Sequence, residues 1–146
     1  MGKIVAVASS GGHLDQLLFF VRELEFGNEI IVATFRKPDA EARIEKYQKY
    51  WLKFPTNRNF TNNAKNLLIA LKIQWRHRPT GYLSTGAASA VVFGLVAKIH
   101  RVPFLYVEPI DRILQPTLTG KMLSKMGVPI QIYWKSQLKS YRNCRY

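Results

Sequence analysis

Two rhythms of apolar residues alternate along this chain: short continuous runs, and longer stretches in which an apolar residue recurs every third or fourth position. The first run, Ile4-Val5-Ala6-Val7-Ala8, has no polar alternation and reads as a strand covered on both faces. Leu14, Leu17, Leu18 and Val21 then follow the i, i+3, i+4 spacing of an amphipathic helix, and Gly27 supplies its stop. Glu29 to Thr34 predicts a second buried strand. Pro38 opens a charged helix expected to run to about Tyr50, with Asp39 and Glu41 favourably placed near its start. Trp51 to Phe54 is a short third strand and Pro55 to Asn59 a polar loop.

Phe60 to Arg78 carries a second helical rhythm. With Thr61 as its cap, Ala64, Leu67, Leu68, Leu71 and Trp75 fall on one stripe, the expected core side. Ile69 and Ile73 then point nearly the opposite way, beside Lys65, Lys72 and Arg76. Isoleucines flanked by cations suit a surface resting on anionic headgroups; equally, a neighbouring element can cover them. A fourth strand at Gly81 to Thr85 runs into an almost wholly apolar helix, and Pro103 to Val107 gives a fifth. Thr117 opens a helix through Met126, Pro129 to Trp134 is a sixth strand, and a basic tail follows. Strand alternating with helix, without internal repeats, predicts a single domain over 1–146 of the α/β class, a doubly wound, mostly parallel Rossmann-like sheet with right-handed crossovers.

Composition narrows the function classes. The lone cysteine, Cys144, excludes a disulfide framework and a cysteine-based metal site, and fits a reducing compartment. No apolar run reaches the roughly 18 to 20 residues of a membrane span. The first strand begins at Lys3, which leaves no room for a signal peptide in this sequence. The net charge of +13 is unevenly placed: residues 1–50 are balanced, while no acid occurs between Lys46 and Val107. Such a field attracts nucleic acid, anionic lipid or phosphorylated substrates.

Candidate chemistry gathers where strands turn into helices. Ser9-Ser10-Gly11-Gly12-His13-Leu14 follows the first strand directly. Its glycines can take backbone angles closed to other residues, and the helix behind them aims unpaired N–H groups at whatever sits above. The spacing matches neither a dinucleotide fingerprint nor a P-loop, so the turn is either an anion pocket or a tight connector. A second turn of this kind is Ser84-Thr85-Gly86-Ala87, and the fifth strand ends in Glu108. In doubly wound sheets ligands bind beyond these carboxyl ends.

Ser9-Ser10-Gly11-Gly12-His13-Leu14, Leu83-Ser84-Thr85-Gly86-Ala87, and Val107-Glu108 with Arg112 and Thr117-Leu118-Thr119-Gly120-Lys121 together resemble the acceptor-side subunit of split UDP-sugar glycosyltransferases. That family includes bacterial capsule and exopolysaccharide biosynthesis proteins and the membrane-recruiting subunit of the eukaryotic enzyme that adds the second N-acetylglucosamine to dolichyl diphosphate. The resemblance is collinear over nearly the whole chain. Pro109 departs from it, standing where the family commonly has a serine.

The resemblance implies the N-terminal half of a GT-B glycosyltransferase, similar to that half of the lipid II transferase. It implies a second polypeptide that binds the UDP-sugar, a polyprenyl-diphosphate-linked sugar as acceptor, and peripheral attachment to the cytoplasmic face of the membrane. His13 and Glu108 become the two candidate bases; alternatively His13 only bonds a phosphate or a carbonyl, and Glu108 only pairs with Arg112. Ser9, Ser10, Gly11, Gly12, Ser84, Thr85, Gly86, Arg112, Thr119 and Gly120 become acceptor- or phosphate-binding elements. No cofactor is implied, and no metal site is suggested by the histidine spacing. Two other classes stand beside this one: a non-catalytic scaffold that activates a partner at the membrane, and a nucleic-acid-binding module, the weaker because no reader motif is present.

Overall fold

The computed structural model describes residues 2–146. It holds one sheet of seven strands, β1 (Gly2–Val7), β2 (Asn28–Phe35), β3 (Gln48–Leu52), β4 (Gly81–Ser84), β5 (Phe104–Val107), β6 (Ile130–Gln131) and β7 (Cys144–Arg145). Their spatial order is β3-β2-β1-β4-β5-β6-β7 and every neighbouring pair is parallel. The connections include five helices: α1 (Gly12–Leu24), α2 (Pro38–Arg43), α3 (Phe60–His77), α4 (Ser89–Ile99) and α5 (Leu118–Lys125).

Strand periodicity divides the core into two layers. Ala6, Ala8, Ile30 and Val32 face α1, where Leu14, Leu17 and Val21 close over them. Val5, Val7, Ile31 and Ala33 face the other way, towards α3, α4 and α5, packed with Ala70, Ile73, Phe93 and Leu123. The fold is thus the expected doubly wound α/β sheet. Val7 lies beside Ala33 on one side and Ser84 on the other, so the turns after β1, β2 and β4 emerge in one row.

Three local expectations change. Helix α2 stops at Arg43 rather than near Tyr50, because Gln48–Leu52 pairs with Ile31–Phe35 as an edge strand. That segment is rich in Tyr and Trp, which suit a pleated surface better than a helix. The tail contributes β7, Ile130 pairing with Cys144. A two-residue strand has no periodicity to read.

The third change is the rotation of α3. Its buried residues are Asn66, Ala70, Ile73, Gln74 and His77, an i, i+4, i+7, i+8, i+11 stripe, while Leu68 is 67% and Trp75 74% exposed. Ile73 is wholly buried and Ile69 half-buried, so these two do not form the expected outer membrane face. Polar side chains set the rotation. Asn66 bonds both backbone groups of Lys53, at 2.7 and 3.0 Å, Tyr82 donates to Gln74 at 2.6 Å, and Tyr50 meets His77 Nε2 at 2.7 Å. A satisfied polar residue can face a core, and counting Asn66, Gln74 and His77 as outward turns the helix the wrong way. Its cap is Asn59, which accepts from Asn62 N, rather than Thr61.

Candidate functional site

The turn after β1 is built on Gly11, whose φ of 82° belongs to the region that favours glycine. Its carbonyl accepts from Leu14 N and Asp15 N and so starts α1. Gly12 has no positive φ, and a Cβ at either glycine would meet nothing within 4 Å. The space above the helix start is open. Ser9, Ser10 and Gly11 are partly exposed around it and Gly12 is exposed.

His13 ties this turn to the one after β4. Its Nδ1 lies 3.1 Å from the Thr85 carbonyl oxygen, and Thr85 Oγ1 donates to the His13 carbonyl at 2.6 Å. Gly86, at φ 151°, gives the ring its place: a Cβ there would lie 2.6 Å from Nδ1. A carbonyl oxygen only accepts, so Nδ1 carries the proton and, in the neutral ring, Nε2 keeps its lone pair. His13 also lines a cavity of about 290 Å³ with Gly12, Gln16, Pro109, Ile110 and Asp111.

Glu108 occupies a different environment. It is wholly buried; Oε1 accepts from Thr117 N at 2.6 Å and Oε2 from Thr117 Oγ1 at 3.0 Å, while Thr117 Oγ1 accepts from Gly120 N at 2.9 Å. The carboxyl group therefore anchors the start of α5, where N–H groups lack helical acceptors. Gly120 is required there, since a Cβ would come within 2.7 Å of Glu108 Oε2 and 2.5 Å of the Tyr141 hydroxyl. Burial, with Glu108 adjacent, pushes the Tyr106 and Tyr141 hydroxyls well above the ordinary phenol range. Among the described residues Glu108 is in no ion pair, so the alternative pairing with Arg112 is absent. Of the two candidate bases, His13 is partly exposed and Glu108 wholly buried.

The remaining predicted residues divide in the same way. Ser84 and Thr85 are wholly buried, and Gly86 and Gly120 are buried as well. Arg112 is exposed and Thr119 partly exposed at the carboxyl edge. Gln16, which donates to the Glu108 carbonyl at 3.1 Å and so couples α1 to the end of β5, was not a sequence candidate; only its place one helical turn after Gly12 hinted at it.

Also unforeseen is a groove of about 830 Å³ on the α3–α4–α5 side, bordered by loop residues 56–59. Among the described residues no cluster of three or more His, Cys, Asp or Glu is placed to hold a metal. Nor is any helix among them long and apolar enough to cross a membrane.

No family model matches the sequence, and no curated protein matches it significantly. Solved structures do match in fold. MurG of Acinetobacter baumannii superposes with a TM-score of 0.75 at 15% identity, over 90% of this chain and 41% of that one. A UDP-GlcNAc 2-epimerase from Methanocaldococcus jannaschii gives 0.68 at 15% identity over 92% and 40%. A glycosyltransferase from Rickettsia africae gives 0.65 at 14% over 90% and 36%. The chain spans about two fifths of the length of these proteins, and its architecture is that of the N-terminal domain of GT-B enzymes.

Proposed function

We propose that this chain is the acceptor-side component of a two-chain inverting glycosyltransferase, which transfers a sugar from a UDP-sugar to a polyprenyl-diphosphate-linked sugar in polysaccharide biosynthesis. The observation that carries the reading is His13: Nδ1 committed to the Thr85 carbonyl, the ring lining an open cavity at the carboxyl edge of a parallel sheet, beside a helix start. An acceptor hydroxyl held at Nε2 gives up its proton as its oxygen bonds to the anomeric carbon. The bond from that carbon to the UDP oxygen breaks, and UDP leaves with the electron pair. The N-terminus of α1, with Ser9, Ser10 and the open space over Gly11 and Gly12, offers N–H groups to the acceptor's diphosphate. Glu108 holds α5 in position and reaches no reactant.

The donor site lies on a second, UDP-sugar-binding domain in a separate polypeptide. Likeness in fold to a glycosyltransferase and to enzymes named for UDP-GlcNAc supports this assignment. The face that meets the membrane is formed by Leu68 and Trp75 with Lys65, Lys72 and Arg76, and their exposure on α3 supports this. An apolar strip rimmed by cations binds reversibly to an anionic leaflet. The test is a mixing experiment with a panel of UDP-sugars and a short-chain polyprenyl-diphosphate sugar. Transfer is expected only when this chain and its partner are combined; turnover by this chain alone, or failure of every combination, overturns the reading.

A further inference from the structure

The polar side chains that line the His13 cavity have one property in common: each is left with hydrogen-bond acceptors and no free donor. His13 presents Nε2 with its lone pair, because Nδ1 holds the proton that meets the Thr85 carbonyl. Gln16 commits its amide nitrogen to the Glu108 carbonyl, which can only accept, so Oε1 is its free end, without a hydrogen-bond partner among the described residues. Asp111 adds a carboxylate that takes part in none of the ion pairs among the described residues. The loop is held on both sides of it, Trp134 donating to the Ile110 carbonyl at 2.8 Å and Gln137 to the Arg112 carbonyl at 2.6 Å. Pro109 and Ile110 supply an apolar wall. No lysine or arginine lines the cavity, in a chain whose net charge is +13.

An anionic group seated among these side chains meets the Asp111 charge with no cation to offset it, and an apolar group leaves three acceptors unpaired. What complements acceptors beside an apolar wall is a ring that carries several hydroxyl donors and has C–H faces. We propose that this cavity seats the terminal sugar of the acceptor, and that Asp111 and Gln16 select an uncharged hexose over a uronic acid. The carboxylate of Asp111 and Oε1 of Gln16 accept from the sugar hydroxyls, while its C–H face lies on Pro109 and Ile110. A uronic acid brings a second carboxylate in place of a donor, which repels Asp111 and leaves an acceptor unpaired. At about 290 Å³ the cavity stands at the small end of the roughly 300 to 1,000 Å³ of ligand sites, a size for one ring. Gly12 lines it too, so a diphosphate on the anomeric carbon of that sugar reaches the start of α1, its proposed place. This inference rests on the acceptor-side reading and adds to it the chemical class of the acceptor sugar and two residues that choose it.

The experiment is an NMR titration of the full chain, read at the Gln16 side-chain amide and the His13 backbone amide. The probes are matched pairs, glucose 1-phosphate against glucuronic acid 1-phosphate and galactose 1-phosphate against galacturonic acid 1-phosphate, with inorganic phosphate as the reference. In at least one pair the hexose phosphate is expected to bind saturably, at least about fivefold more tightly than its uronic counterpart and than inorganic phosphate. Asp111→Asn, at an exposed position, should cut the preference over the uronic acid to about twofold or less, because the repulsion is gone. Gln16→Ala should weaken the hexose phosphate and leave inorganic phosphate unchanged. No saturable binding, shifts confined to other surfaces, a smaller preference in both pairs, or indifference to either substitution overturns the proposal. The two readings fail separately. Transfer by the reconstituted pair to an acceptor ending in a uronic acid as readily as to one ending in a hexose removes the selection and keeps the enzyme; binding as described, with no transfer in any combination, does the reverse.

Discussion

His13 and Thr85 bind each other twice: the threonine hydroxyl donates to the histidine carbonyl at 2.6 Å, and the histidine ring lies 3.1 Å from the threonine carbonyl. These two residues are 72 positions apart in the chain and belong to the turns after β1 and β4. The pair converts two strand-to-helix connections into one rigid ledge and fixes which nitrogen of the imidazole is free. Thr85→Val keeps the volume and removes the donor. The His13 carbonyl then loses its partner, so unfolding free energy should fall by about 1 to 3 kcal/mol. Transfer by the reconstituted pair should fall as the ring loosens; chemical denaturation and initial rates measure the two effects, and unchanged values for both would remove the ledge from the account.

Gly86→Ala tests the seat of the ring. The new methyl would start 2.6 Å from His13 Nδ1 on a backbone with φ 151°, so the ring must move. A displacement of even ~1 Å can cost about a hundredfold in turnover, while the fold should survive a strain of roughly 1 to 3 kcal/mol. A stably folded Gly86→Ala protein with the normal rate would show that the ring's position is immaterial.

Glu108 separates anchoring from catalysis. Glu108→Gln puts an amide NH₂ where an oxygen now accepts from Thr117, and should lower stability by about 1 to 3 kcal/mol. The α5 amides near Gly120 should also exchange faster with solvent. An unaltered thermal midpoint with turnover abolished would return Glu108 to the role of base.

On the proposed membrane face, Leu68→Ser and Trp75→Ser should each weaken binding to vesicles containing anionic lipid, since fully burying one such side chain contributes roughly 1.5 to 3 kcal/mol. Ile73→Ser should instead destabilise the fold, by about 2 to 5 kcal/mol, because Ile73 is wholly buried. Co-sedimentation with anionic and neutral vesicles reads the first effect, thermal melting the second. Equal partitioning to both vesicle types would remove the surface.

His77 supplies a pH dependence. Burial first, then the charges of Lys3 and Arg76, hold its pKa below the ordinary 6.5. The unfolded chain therefore binds the proton more readily than the folded one. Stability attributable to His77 is present above about pH 6.5 and declines as pH falls through the folded value. Thermal midpoints of the wild type should drop more between pH 7.5 and 5, roughly the range in which imidazole titrates, than those of His77→Gln. Parallel curves would mean that His77 titrates alike in both states.

Much of the fold was legible because strands buried on both faces leave unbroken apolar runs, as at Ile4–Ala8, and because Gly and Pro mark the turns between them. The turns after β1 and β4 were legible for the same reason: small residues crowd where a strand meets a helix. What escaped had no such signature. The core side of α3 is set by Asn66, Gln74 and His77, whose burial depends on partners distant in sequence, Lys53, Tyr82 and Tyr50. Glu108 reads from the sequence as a candidate base at a strand end or a partner of Arg112, whereas Thr117 takes both its oxygens. The groove beside Arg58 draws its walls from α3, α4 and α5, distant in sequence, which no local pattern records.

The central claim is that His13 takes the proton of the acceptor hydroxyl. Its most direct measurement is kcat and the acceptor KM of His13→Gln in the reconstituted pair, across pH. The account predicts a fall in kcat of about 10² to 10⁴, typical of losing a general base, with KM little changed and the acidic limb of the pH profile gone. A normal kcat, or a loss confined to KM with the acidic limb intact, would contradict it.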